Sequence, residues 1–187
     1  MKIFLSVIIL IFGIQSFSKA DDISEFEIEG ISIGDTILRY MYASKIVSRK
    51  VDYYKDLTFS SINIYSDDEI VNFETYDQIV LGFKTDDKNY SIVAISGIIE
   101  IDFDNCMNKI DFVTKDVSNI LPNTNQISDN VKSTLGDHIY NKFELSNGDN
   151  IKVSCVNYYD ENDYPDHLRI AVNKGDYQEW LNTKAYK

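Results

Sequence analysis

The spacing of apolar residues changes several times along this chain, and each change marks a new element. Ile3 to Ile14 is apolar apart from Ser6 and Gly13, with Lys2 before it and Ser18-Lys19-Ala20 after it. A basic start, a short apolar stretch and a small-x-small sequence make a secretory signal over residues 1–20, cleaved after Ala20. The stretch is shorter than the ~20 residues a membrane-spanning helix needs. Asp21 to Glu29 alternates and reads as a short edge strand. Ser32 stands as an N-cap with Asp35 three residues on, and Ile33, Ile37, Leu38 and Met41 follow at helical spacing. A first helix is expected from Ile33 to about Ala43, with a further helical turn over Ser44 to Lys50.

Alternation with a period of two takes over from Phe59 to Tyr65, Tyr76 to Lys84 and Tyr90 to Ile101. The last two segments flank a polar stretch, Thr85 to Asn89, and read as a hairpin. Helical spacing returns at Asp104, placing Cys106, Ile110, Val113, Val117 and Ile120 or Leu121 on one face. The residue before a proline disfavours helix, so Leu121-Pro122 ends this one. Asn123 to Asn130 is polar and is expected to be a loop. His138 to Leu145 and Asn150 to Tyr159 then flank Asn147-Gly148, a strong hairpin signal. A polar loop, Asp160 to Asp166, leads to a strand from His167 to Asn173 and a final helix around Asp176 to Leu181. The order predicts a single α+β domain over residues 21–187. Its antiparallel sheet of about six strands is arranged in two α-β-β-β halves, with helices packed on one face.

Composition sharpens this picture in two ways. The chain is 44 % hydrophobic and 13 % aromatic, far from the profile of a disordered tail. Its net charge is −12, and signal removal deepens this by two units, because Lys2 and Lys19 are lost and no acidic residue is. Such a surface repels nucleic acid and anionic lipid, leaving cationic proteins, cationic peptides and metal ions as partners. No membrane span remains after signal cleavage, and the expected location is periplasmic or secreted.

Cys106 and Cys155 are the two cysteines, an even count that suggests a disulfide in an exported protein. Cys106 lies on the apolar stripe of the long helix. Alternation puts Cys155 on the same strand face as Ile151 and Val153. A bridge follows if that helix packs on that strand.

The catalytic patterns lack their context. Gly30-Ile31-Ser32-Ile33-Gly34 matches the nucleophile-elbow sequence, but no buried strand precedes it and only two histidines follow. Asp137-His138 and Asp166-His167 are sequence neighbours that a strand would point to opposite faces. Asp160, Asn162, Asp163 and Asp166 form an oxygen-rich loop of calcium type, without the turn glycine and distal glutamate of a full site. No phosphate loop or dinucleotide fingerprint occurs, and no cofactor is called for. Thirteen tyrosines remain. Tyr65, Tyr76, Tyr90, Tyr140, Tyr158 and Tyr159 fall on expected strands, where they serve either as strand formers or as a recognition face.

The opening Glu27-Ile28-Glu29-Gly30-Ile31-Ser32-Ile33-Gly34-Asp35-Thr36 resembles an uncharacterised family of small exported proteins from AT-rich marine bacteria. A strand like Tyr90-Ser91-Ile92-Val93-Ala94-Ile95-Ser96-Gly97, leading to a helix with a cysteine, extends the likeness to about half the mature chain. The resemblance implies a periplasmic location and supplies no activity. A more distant, fold-level likeness is to small envelope domains of the outer-membrane assembly lipoprotein and β-lactamase-inhibitor type. These readings lead to the expectation of a non-catalytic envelope accessory domain that binds a protein or peptide. Binding of a small molecule or calcium is the alternative, and a small secreted enzyme stands third.

Overall fold

The computed structural model describes residues 22–68, 73–159 and 164–187. The expected signal peptide lies outside the described residues. Seven antiparallel strands form the main sheet: β3 (Phe59–Tyr65), β4 (Gln78–Lys84), β5 (Ile92–Glu100), β6 (Asn125–Lys132), β7 (Gly136–Glu144), β8 (Asn150–Tyr158) and β9 (His167–Asn173). Their spatial order is β3-β4-β5-β9-β8-β7-β6. The last strand therefore sits at the centre, where Ala94 to Glu100 pair with Asn173 to His167. Three helices accompany the sheet: α1 (Ala43–Ser48), α2 (Phe103–Ile120) and α3 (Gly175–Thr183). No helix among the described residues is long and apolar enough to cross a membrane.

Strand register divides the side chains into two faces. Ile62, Leu81, Ile95, Val172 and Ile151 lie in one row, and Ile64, Ile79, Gly97, Ile170 and Val153 in the next. These rows form the front face, on which α2 packs with Cys106, Ile110 and Val117. Asp102 caps α2 by accepting from the Asn105 amide at 2.9 Å. Cys106 and Cys155 are bonded, tying the first turn of α2 to β8 across 49 residues of sequence. Tyr76 lies over Gly97, where a Cβ would come within 2.4 Å of its ring.

The amino-terminal segment departs from the expected first helix. β1 (Glu27–Ile28) and β2 (Ile31–Ser32) pair as a two-residue hairpin, flanked by 3-10 turns at Ile23–Glu25 and Ile37–Arg39. Left-handed backbone at Glu29, Gly30 and Gly34 interrupts any helix here. The amides of Gly34 and Ile37 bond to Ile92 and Tyr90 at the start of β5 rather than to a preceding helical turn. Ile23, Ile28, Ile31 and Ile37 still reach the front core, so the helical spacing reflects burial without helix.

Three further expectations change. The sheet has seven strands rather than six, because Asn125–Lys132 is a polar edge strand and not a loop. An edge needs only its backbone ladder on one side, so its side chains stay in water and give no apolar signal. The two runs of strands are unequal, and the helix before the first has only six residues. Finally, the helices do not share one face. α3 lies on the back, where Tyr177 and Trp180 join Tyr54, Phe59, Ala94 and Ala185 in a second core.

Candidate functional site

Back-face residues alternate with the apolar front, and α3 covers part of them. Tyr177 fits over Gly82, and its hydroxyl lies 2.9 Å from Ser61 Oγ, which also meets Tyr54 at 3.1 Å. Trp180 donates its indole N–H to Asp56 at 2.7 Å. At the other end of the helix, the Asp149 carboxylate accepts from the Gly175 amide and from Lys174 at 2.8 and 2.9 Å. Gly148 and Gly175 allow the hairpin and helix backbones to touch. These polar groups around α3 are therefore paired.

The rest of the back face, on β7, β8 and β9, is packed by no helix among the described residues. Register sets out its rows: His138, Val156 and His167; then Tyr140, Ser154 and Arg169; then Lys142, Lys152 and Ala171. Tyr158 lies between the two histidines, its ring centroid 6.3 Å from His138 and 5.8 Å from His167. Lys142 and Lys152 stand directly opposite each other, a like-charge pairing that costs stability. Lys142 is bonded to Glu144. Lys152 meets no carboxylate within ion-pair distance among the described residues, and its ammonium rests 5.4 Å from the centre of the Tyr140 ring. Arg169, diagonal to Lys152, donates through Nη2 to Ser96 Oγ at 2.9 Å. Its Nε is buried without an acceptor, and no carboxylate pairs with it among the described residues.

Electrostatics follow from this crowding. Burial first, then Arg169 and Lys142, bring the Lys152 ammonium down to about 8. Burial, Lys152 and Arg169 lower His138. His167 is only 8 % exposed and is also lowered, mainly by burial. Its Nδ1 donates to the Pro165 carbonyl at 3.1 Å. The charge of Arg169 reaches the hydroxyls of Tyr53, Tyr158, Tyr177 and Tyr186, although burial keeps each above its usual range. An acidic protein thus gathers five basic side chains on three adjacent strands, with Glu144 the one carboxylate bonded to any of them among the described residues.

The expected tyrosine face is brought together in part. Tyr140 and Tyr158 occupy this patch, and Tyr65 lies on the same face at the far edge of the sheet. Tyr76 is buried on the front, and Tyr90 packs against Phe83 with ring centroids 5.5 Å apart. Tyr159 points the other way and donates to Asp137 at 3.0 Å. Of the calcium-type loop, Asp160, Asn162 and Asp163 lie outside the described residues. Asp166 accepts from the Tyr158 amide at 2.8 Å. No group of three or more metal-ligating side chains occurs among the described residues. An open cleft of about 540 Å³ nearby is bordered by Glu100, Asp102, Tyr158 and Asp166. Neither histidine is hydrogen-bonded to a carboxylate among the described residues.

Lys152 and Arg169 escaped the sequence reading. Lys152 interrupts an apolar strand between Ile151 and Val153, which is the normal solvent alternation. Its meeting with Arg169 depends on β9 lying beside β8, and no local pattern announces that pairing. Comparison of the chain with protein-family models, curated proteins and solved structures finds no match.

Proposed function

We propose that this protein is an exported, non-catalytic domain that binds a protein or peptide of the cell envelope on the open half of its back face. The observation that carries the reading is the patch itself, in which partly buried tyrosines and basic groups keep hydrogen-bonding capacity unused. Leaving charge partly buried and unpaired costs stability, so a domain that keeps it gains something else from it. Tyr140 and Tyr158 supply large contact area with few rotatable bonds. The disulfide fits an oxidising compartment outside the cytoplasm. Histidines with no orienting carboxylate among the described residues favour binding over acid–base catalysis.

The test is short-range cross-linking in intact cells, followed by mass spectrometry. A dominant partner is expected with the natural chain and not with the double variant Tyr140→Ala/Tyr158→Ala. A partner retained by that variant places binding elsewhere, and recovery of the protein alone refutes the reading.

A further inference from the structure

Arg49 is bonded to Asp68, Lys174 to Asp149 and Lys142 to Glu144. Lys152 departs from this pattern. It stands directly opposite Lys142 on β7 and diagonal to Arg169 on β9. It meets no carboxylate within ion-pair distance among the described residues, and its head rests over the Tyr140 ring. The Arg169 guanidinium is bonded toward Ser96 on β5, so Arg169 contributes charge here rather than a hydrogen bond. Lys152 is half-buried on a stretch of the back face that no helix covers among the described residues, where a small molecule can reach it.

We propose that Lys152 is a nucleophilic amine that captures small aldehydes as an imine. A charged head that faces another cation, lies near a third and meets no carboxylate gains by losing its proton. A lysine desolvated beside another cation is the arrangement that activates an amine for imine formation. The Lys152 ammonium is brought down to about 8, against 10.5 for an ordinary lysine, so about one amine in ten is unprotonated at neutral pH. Around it stand Lys142, Tyr140, His138 and Glu144 on β7 and Arg169 on β9, with Asp129 of β6 accepting from the Tyr140 hydroxyl. In the reaction the nitrogen lone pair attacks the carbonyl carbon. A C=N bond replaces C=O, and both amine hydrogens leave with the oxygen as water. An imine holds its proton less tightly than an amine, so the product relieves the crowding of charge beside Lys142 and Arg169. The Tyr140 ring offers a flat surface to the organic body of the aldehyde. Such capture is stoichiometric and reversible, which keeps it within a non-catalytic domain and separate from the partner reading above.

The experiment treats the natural disulfide-bonded protein with benzaldehyde and sodium cyanoborohydride, which fixes each imine as a secondary amine. Peptide mass mapping then gives the rate at every lysine. Near neutral pH, Lys152 is expected to react about tenfold or more faster than the median of the other lysines. A brief pulse of acetic anhydride at each pH should show Lys152 levelling off above about pH 8, while the others still climb towards about pH 10. Lys142→Gln removes the facing charge and frees Glu144 for Lys152, so it should slow imine formation there about threefold or more. Unchanged rates at the remaining lysines show that the variant keeps its fold. Modification of Lys152 at the median rate overturns the proposal, as does a rate that Lys142→Gln leaves unchanged. Faster acetylation of Lys152 without faster imine formation assigns it to acyl donors and overturns the aldehyde.

Discussion

The two faces of the sheet are built from the same strands and obey opposite rules. Along β8, Ile151, Val153 and Cys155 enter the front, while Lys152, Ser154 and Val156 enter the back. The front is closed by α2, by the amino-terminal hairpin and by a covalent bond around an apolar core, with Asn141 meeting Thr114 of α2 beside it. The back is closed at one end, where α3 brings Tyr177 and Trp180 with a hydrogen bond for each polar tip. At its other end, Lys152 and Arg169 meet no carboxylate among the described residues. Cohesion is thus concentrated on one side of each strand, which frees the other side to hold groups that do not stabilise the fold.

That contrast can be broken from either side. The largest effect should come from the front. Replacing both cysteines by serine removes the constraint on a 49-residue loop, which is worth about 4 kcal/mol in the chain-entropy model. Urea denaturation should show it as a lower midpoint, and an unchanged midpoint would mean that α2 is held by packing alone. Gly97→Ala forces the buried Tyr76 ring to move and should cost about 2–3 kcal/mol in the same assay.

Changes on the back should have smaller effects, and one has the opposite sign. Lys152→Met removes a charge that meets no carboxylate among the described residues and should raise stability by about 1 kcal/mol. A loss would show that the ammonium is satisfied in the folded protein.

The pH dependence sharpens the same point. The Lys152 ammonium falls to about 8 when folded, from 10.5 in the unfolded chain, so between these values the unfolded chain holds more protons. Stability should therefore rise as pH climbs from about 8. Buried Tyr177 and its neighbour Tyr186 are raised above 10.0, which makes the unfolded chain lose protons first and reverses the slope beyond about pH 10. The groups facing Lys152 are Lys142, Arg169, His138, Tyr140 and Glu144. Of these, His138 titrates below the window. A maximum near pH 10 that flattens on its acid side in Lys152→Met is the expected result. The smallest effect belongs to Tyr140→Phe, whose hydroxyl donates weakly to Asp129 at 3.4 Å and should leave stability within about 0.5 kcal/mol of the natural chain.

Local periodicity made much of this architecture legible. Alternation located the core of six strands, and the stripe from Cys106 to Val117 located α2 and with it the disulfide. It failed where burial and backbone conformation part company. Ile33 and Ile37 are spaced for a helix, but Gly30 and Gly34 turn the chain so that both residues enter the core from a hairpin and a short turn. It failed again at β6, where an exposed ladder carries no hydrophobic signature. In the candidate site, Tyr140 and Tyr158 were visible as strand tyrosines. The meeting of Lys152 with Arg169 was not, because it is set by contacts between distant segments.

The central position of β9 has a consequence for how the chain reaches its structure. β3, β4 and β5 form a meander on one side, and β6, β7 and β8 form another. Neither can join the other until His167–Asn173 pairs with both. Ordering the sheet must therefore close a gap of about seventy residues late, and pairings of such length slow folding. Until then β5 and β8 each present a bare edge. β9 acts as a keystone, because each meander meets the other only through it.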